Sequence, residues 1–167
     1  AGLEVEFRKE LIRDLRLGAN ASFMYTDVKL PEGGAYTNTQ RALQGASPYL
    51  VNAGLFYQHD DKGISASLLY NRIGKRIESV GVPMQDQNED IPDIYEMPRN
   101  SLDLTFSKKI GKAVEIKAGI QDMLNSKIEY KQFVKLTDQN GGKREREQLV
   151  RSYRPGVDIN VGVSLKF

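Results

Sequence analysis

The feature that most constrains this chain is a side-chain alternation of period two. It is strictest over residues 157–167, where Val157, Ile159, Val161, Val163, Leu165 and Phe167 alternate with Asp158, Asn160, Gly162, Ser164 and Lys166. Successive side chains of a β-strand point to opposite faces, so this stretch has one apolar face and one polar or small face. Tyr153 extends the apolar register upstream. Eleven residues at ~3.3 Å each and ~40° tilt rise roughly 28 Å, close to the ~25 Å apolar band of a membrane-spanning β-barrel.

The same alternation recurs over residues 3–11, 15–27, 49–58, 64–72, 101–107 and 114–121, which makes seven strands in all. Leu3, Val5 and Phe7 oppose Glu4, Glu6 and Arg8, and Val51, Ala53 and Leu55 oppose Asn52, Gly54 and Phe56. Nothing holds a helical period, so the fold is expected to be all-β, with short helical pieces admitted only around Ile12–Leu15 or in the long loops.

The connections alternate in length. Those at 12–14, 59–63 and 111–112 are tight, whereas 29–47, 79–99 and 134–151 are long and polar. A soluble sandwich has no reason to sort its loops in this way. An outer-membrane barrel does, with short periplasmic turns and long extracellular loops. The expected architecture is an antiparallel up-and-down transmembrane β-barrel segment in the cell outer membrane. Runs from Leu69 to Val82 and from Leu124 to Lys135 carry β-formers past the apolar band and are expected to extend strands outward.

Seven is an odd count, and a complete bacterial barrel has an even number of strands, at least eight. Residues 1–167 are therefore expected to be the C-terminal portion of a larger barrel. The alternative is an autonomous eight-stranded barrel in which 113–136 splits near Asp122–Ser126. An isolated seven-strand piece exposes two sheet edges and is expected to self-associate through them.

Composition excludes more than it identifies. No apolar run approaches the ~18 residues of a transmembrane helix. Cysteine is absent, which removes disulfides and thiolate metal sites. A net charge of +2 with interspersed signs gives no argument for nucleic acid. The negative mean hydropathy does not speak against a barrel, half of whose strand residues face water.

No catalytic or cofactor constellation emerges, so an enzyme is not expected. His59, the one histidine, stands beside Asp60 and Asp61 in an expected solvated turn with no nucleophile nearby. Asp86, Asn88 and Asp90 have the spacing of a calcium loop, but Ile91 and Met97 replace its glycine and its closing glutamate. That leaves an acidic solvated loop, or at most an irregular extracellular cation site. Lys143–Glu147 alternates in sign and is expected to be solvated or set against charged headgroups, and Gly74-Lys75-Arg76 lacks the rest of a phosphate loop. The functional candidates are instead the residues expected to face a hydrated lumen: Glu4, Glu6, Arg8, Arg16, Asn20, Asn52, Asn71, Asp103, Glu115, Lys117, Arg154, Asp158 and Asn160.

Several segments, in order, resemble the C-terminal barrel region of TonB-dependent outer-membrane receptors. They are Gly2–Lys9, Leu17–Phe23, Leu43–Asn52, Leu69–Ile77, Gln121-Asp122-Met123-Leu124-Asn125, and Tyr153-Arg154-Pro155-Gly156 leading to Phe167. The resemblance implies about a third of a 22-stranded barrel, whose remaining N-terminal strands and plug domain belong to the same receptor. It implies energy-coupled uptake of a scarce siderophore, vitamin or glycan, with TonB acting only through the plug, which is not among these residues. It also implies that Tyr153, Val157, Ile159, Val161, Val163, Leu165 and Phe167 form the assembly signal read by the barrel-assembly machinery, and that outer-membrane lipid surrounds the wall. The alternatives are a small autonomous outer-membrane barrel with a structural or adhesion role, and a soluble β-sheet binding module.

Overall fold

The alternation becomes strand pairing. The computed structural model describes residues 1–31, 36–83, 91–137 and 143–165. The strands are β1 (Gly2–Ile12), β2 (Leu15–Met24), β3 (Val28–Lys29), β4 (Gln40–Arg41), β5 (Tyr49–His59), β6 (Ile64–Ile73) and β7 (Arg76–Ser79). They continue with β8 (Ile94–Glu96), β9 (Arg99–Ile110), β10 (Val114–Gln121), β11 (Ile128–Thr137), β12 (Lys143–Tyr153) and β13 (Asp158–Leu165). No helix occurs among the described residues, and Ile12–Leu15 is a strand end, a two-residue turn and a strand start.

Seven strands form one antiparallel sheet in the order β1-β2-β5-β6-β9-β10-β13. They are the seven expected from the alternation. The sheet is open: β1 and β13 are its edges, and no barrel closes among the described residues. Strands β12, β11, β8 and β7 form a second sheet in that order, and β3 pairs with β4 in a small hairpin. The 113–136 stretch does break in two, but only β10 joins the main sheet, so the eight-strand count does not hold. The runs expected to extend strands outward, Leu69–Val82 and Leu124–Lys135, instead pass into separate strands, β7 and β11 of the second sheet, and the expected long connections 79–99 and 134–151 also hold strand, in β8 and β12. Strands β7 and β8 lie between β6 and β9, and β11 and β12 between β10 and β13.

The tight turns use residues that accept left-handed backbone. Asp14 (φ 68°), Gly63 (φ 59°) and Gly111 (φ 61°) reverse the chain at one end of the main sheet. At Gly63 a side chain is also excluded by space, because a Cβ would lie 2.9 Å from that of Lys109.

At the other end the chain leaves the main sheet through marked breaks. After β10, Asp122 (φ 51°) and Asn125 (φ 43°) turn the backbone, conformations that Asp and Asn tolerate better than most residues. The Asp122 N–H donates to Asp103 Oδ1 at 2.8 Å. The return from β12 is tied to the same point, where Arg154 donates to the Asn125 carbonyl at 2.6 Å and the Gly156 N–H to Asn125 Oδ1 at 3.0 Å. Pro155 has no N–H for a ladder and Gly156 takes φ 96°, so β12 and β13 cannot run on as one strand.

Little of the main sheet is buried. The buried side chains Ile77, Tyr130, Asp93 and Glu96 all lie in or beside the second sheet. On the main sheet Ile159 and Val161 keep 70% and 73% of their surface exposed.

Candidate functional site

The register sorts the main sheet into two chemically distinct faces. On one, Leu17, Leu55, Leu68, Leu104, Ile120 and Ile159 stand side by side across six neighbouring strands. Side chains two residues away on the same strands repeat the pattern, with Tyr57, Ala66, Phe106, Ala118 and Val161 in the next row.

The opposite face is polar and hollowed. Glu6, Asn20, Asn52, Asn71 and Ser101 form one cross-strand row. Its three asparagines make a ladder: Asn52 Nδ2 donates to Asn20 Oδ1 at 2.7 Å, and Asn71 Nδ2 donates to Asn52 Oδ1 at 2.6 Å. An amide side chain both donates and accepts, so identical residues in register can chain across strands in this way. Below the ladder Arg8 pairs with Glu6 on its own strand at 2.5 Å. Serine and threonine pairs continue the polar lining, with Ser65 and Ser107 hydroxyls 2.7 Å apart and those of Ser67 and Thr105 2.5 Å apart. A hollow of about 450 Å³ runs over this wall.

Six of the residues expected to face a lumen line that hollow together: Glu6, Arg8, Asn20, Asn52, Asn71 and Asp103. Arg16 lines an adjoining hollow with Arg8 and Glu10. Glu4 shares the face, opposite Ser22. Glu115 and Lys117 share it too and pair at 3.3 Å, Asp158 stands opposite Gln121, and the Asn160 amide lies against Gly119. Arg154 does not belong to the wall: it sits between β12 and β13 and holds the Asn125 carbonyl.

The residues expected to form an assembly signal divide similarly. Ile159, Val161, Val163 and Leu165 lie on β13, exposed on the face opposite Asp158 and Asn160, and Val157 precedes that strand. Tyr153 is not in this strand. It ends β12 in the second sheet, where its ring stacks on Tyr130 with centroids 6.4 Å apart. Phe167 lies outside the described residues, as does the Asp86–Asp90 motif.

The alternation also put Phe56 and Leu69 on the polar face, but their role is clear only in three dimensions. The Phe56 ring covers the paired glycines Gly18 and Gly54, and a Cβ at Gly54 would meet the ring at 2.8 Å and the Leu69 side chain at 2.9 Å. The result is an apolar island in a polar wall. Gly54 two residues before Phe56, and so on the same face of one strand, was the sequence signal for it.

Beyond the breaks, the second sheet is held by cations set on aromatic rings. Lys75 Nζ lies 4.6 Å from the Tyr95 ring centre and 4.8 Å from that of Phe133, and the Arg151 guanidinium lies 4.2 Å from that of Tyr130. Arg76 donates from two nitrogens to Glu96 Oε2, at 3.0 and 2.7 Å. Burial, reinforced by Asp93, pushes the Tyr95 hydroxyl pKa up. Burial, a hydrogen bond with Tyr153 and the Glu96 charge do the same for Tyr130. Glu147, 2.6 Å away, raises the pKa of the Lys131 ammonium.

His59 ends β5, where its Nδ1 accepts the Lys62 N–H at 3.4 Å and so braces a turn. Among the described residues no group of three acidic or histidine side chains could hold a metal ion. No protein-family model, curated protein or solved structure matches this chain.

Proposed function

We propose that this chain is part of the wall of an outer-membrane β-barrel, in which the apolar face of the main sheet meets lipid and the polar face lines a hydrated lumen. The observation that carries the reading is the two-faced open sheet itself. Eleven of its large apolar side chains are 37–73% exposed, so each forgoes roughly half of the ~1.5–3 kcal/mol that full burial supplies. Together they forgo an amount comparable to the ~5–15 kcal/mol net stability of a typical domain, which favours an apolar cover for the face. Tight turns at one end and elaborated connections at the other support a periplasmic and an extracellular side.

The two unpaired edges support a segment of a larger barrel over an autonomous one. Further strands of the same receptor would cover β1 and β13 and remove the exposed backbone groups. The role within that receptor is transport rather than catalysis: the segment supplies wall and extracellular structure for TonB-dependent uptake of a scarce ligand, with the plug supplied elsewhere in the receptor.

Spin labels placed singly at Val51, Asn52, Ala53 and Gly54 in bilayer-inserted protein test this. Positions 51 and 53 are expected to be relaxed by oxygen dissolved in lipid, and 52 and 54 by a water-soluble nickel chelate. Equal access of the chelate to all four sites would sink the proposal.

A further inference from the structure

Among the described residues three cations stand on the mainly apolar face of the main sheet: Lys9, Arg72 and Lys108. Lys9 and Lys108 lie near the tight turns, where long side chains reach water easily, and the Lys108 ammonium is held by the Lys62 carbonyl at 2.6 Å. Arg72 lies at the opposite end, in a prepared setting.

The guanidinium is oriented from two sides. Its NH1 donates to Asn100 Oδ1 at 2.8 Å and its Nε to the Tyr49 hydroxyl at 3.4 Å. Tyr70 donates its hydroxyl to the same Asn100 oxygen at 2.8 Å, so the acceptor is itself fixed. The Tyr49 ring is in turn seated on Gly74, where a Cβ would come within 2.8 Å of it. All four side chains share the apolar face, in register with Val51, Ala53 and Leu102. Among the described residues Arg72 forms no ion pair. Its neighbours are neutral acceptors that aim the fork without neutralising it.

Height gives the occupant. Arg72 is eight residues beyond Ile64 at the turn end, which is about 26 Å along the strand, or about 20 Å of rise at ~40° tilt. That is near the top of the ~25 Å apolar band, where tyrosines concentrate and lipid phosphates begin. A guanidinium presents paired N–H donors that match phosphate oxygens, and it binds more strongly where water is scarce.

We infer that Arg72, oriented by Tyr49 and Asn100, binds the phosphate of an anionic lipid headgroup whose chains pack on the apolar face below it. The inference rests on the membrane-wall reading above. The occupant is a lipid rather than a free anion because the site opens onto the apolar face and has no polar wall on its chain side.

Phosphatidylglycerol titrated into uncharged maltoside micelles holding the protein, followed by phosphorus NMR, tests it. Arg72→Gln is expected to weaken binding at least tenfold and Arg72→Lys about threefold, since a lysine keeps the charge but loses the fork. Lys108→Gln is expected to stay within twofold of the parent. Inorganic phosphate at the same concentrations should not displace the lipid. Equal affinity of the parent and both Arg72 variants would overturn the inference, as would effective displacement by inorganic phosphate. A parent chain that never enters the micelles would overturn the membrane reading itself, whereas entry without any loss in the variants defeats only the Arg72 site.

Discussion

The main sheet and the second sheet are built from one continuous chain, yet they solve the problem of polar and apolar side chains in opposite ways. The main sheet separates them by face and leaves the apolar set uncovered, with Ile159 and Val161 at 70% and 73% exposure. The second sheet mixes them. It buries Ile77 and Tyr130 beside Glu96, and sets Lys75 and Arg151 on aromatic rings. On the proposed wall reading one sheet would take an external apolar phase as its cover, whereas the other carries a small core and its own charge partners. The change falls at the breaks near 74–75 and 122–127, where strands leave the first sheet for the second, and the proposed wall would end there.

Charge placement gives the largest effect with which to break this comparison. Leu68→Arg puts a cation in the middle of the apolar row and is expected to cost ~2–4 kcal/mol in the bilayer-inserted protein. Asn71→Arg, three residues on and on the opposite face, loses the ladder bond to Asn52 and is expected to cost about 1 kcal/mol. Urea unfolding from lipid vesicles, followed by far-ultraviolet circular dichroism, measures both. Equal costs would mean that the two faces meet the same medium.

A smaller effect belongs to the second sheet. Arg76→Met leaves the Glu96 carboxylate, whose side chain is only 11% exposed, without its partner. Breaking a fully buried pair costs ~3–5 kcal/mol, and partial exposure of Arg76 brings the expectation here to about 2 kcal/mol. Hydrogen exchange should speed up in β7, β8 and β11 while β5 and β6 stay unchanged. Acceleration in both sheets would show that they open as one unit.

The smallest effect is alkaline loosening of the second sheet. The folded pKa of Lys131 is raised by Glu147, so its contribution is complete below the ordinary lysine value of 10.5 and is lost as pH rises through the raised folded value. Tyr95 and Tyr130 act in the same direction: each is held neutral above its ordinary value of 10.0, so ionising them above that pH opposes the fold. Amide exchange in β11 is expected to accelerate above about pH 10 beyond the intrinsic base-catalysed increase. Glu147→Gln should remove the larger part of the Lys131 share, and Glu129, 3.5 Å from the ammonium, keeps the rest. A main sheet that loosened first would reverse the order.

Most of the main sheet was legible in the sequence because its signal is local. Residues such as Asn52 and Leu55 fall on opposite faces by parity alone, and parity survives whatever the rest of the chain does. Residues 154–157 were misleading for the same reason. Tyr153 continues the parity of β13, and only the Pro155 ring and the positive φ of Gly156 assign it to another sheet. Strand β8, inside the expected loop at 79–99, was hidden because it has three residues and its partners come from distant segments, whereas the β-formers of β7 and β11 were visible but not their sheet. The asparagine ladder was half visible: each asparagine could be placed on a face, but the register that links residues 20, 52 and 71 depends on the lengths of two intervening connections.

The sequence by itself determined the all-β class, the seven strands of the main sheet and the face on which their side chains lie, because a period of two is a property of consecutive residues. Only the tertiary structure decided which residues meet across strands, that the sheet stays open, and that the chain changes sheets at Asp122, Asn125 and Gly156. Register and edge pairing depend on contacts between residues far apart in the chain, and no local pattern encodes those; a break such as Pro155-Gly156 has a local signal, but the sheet that the chain joins beyond it does not.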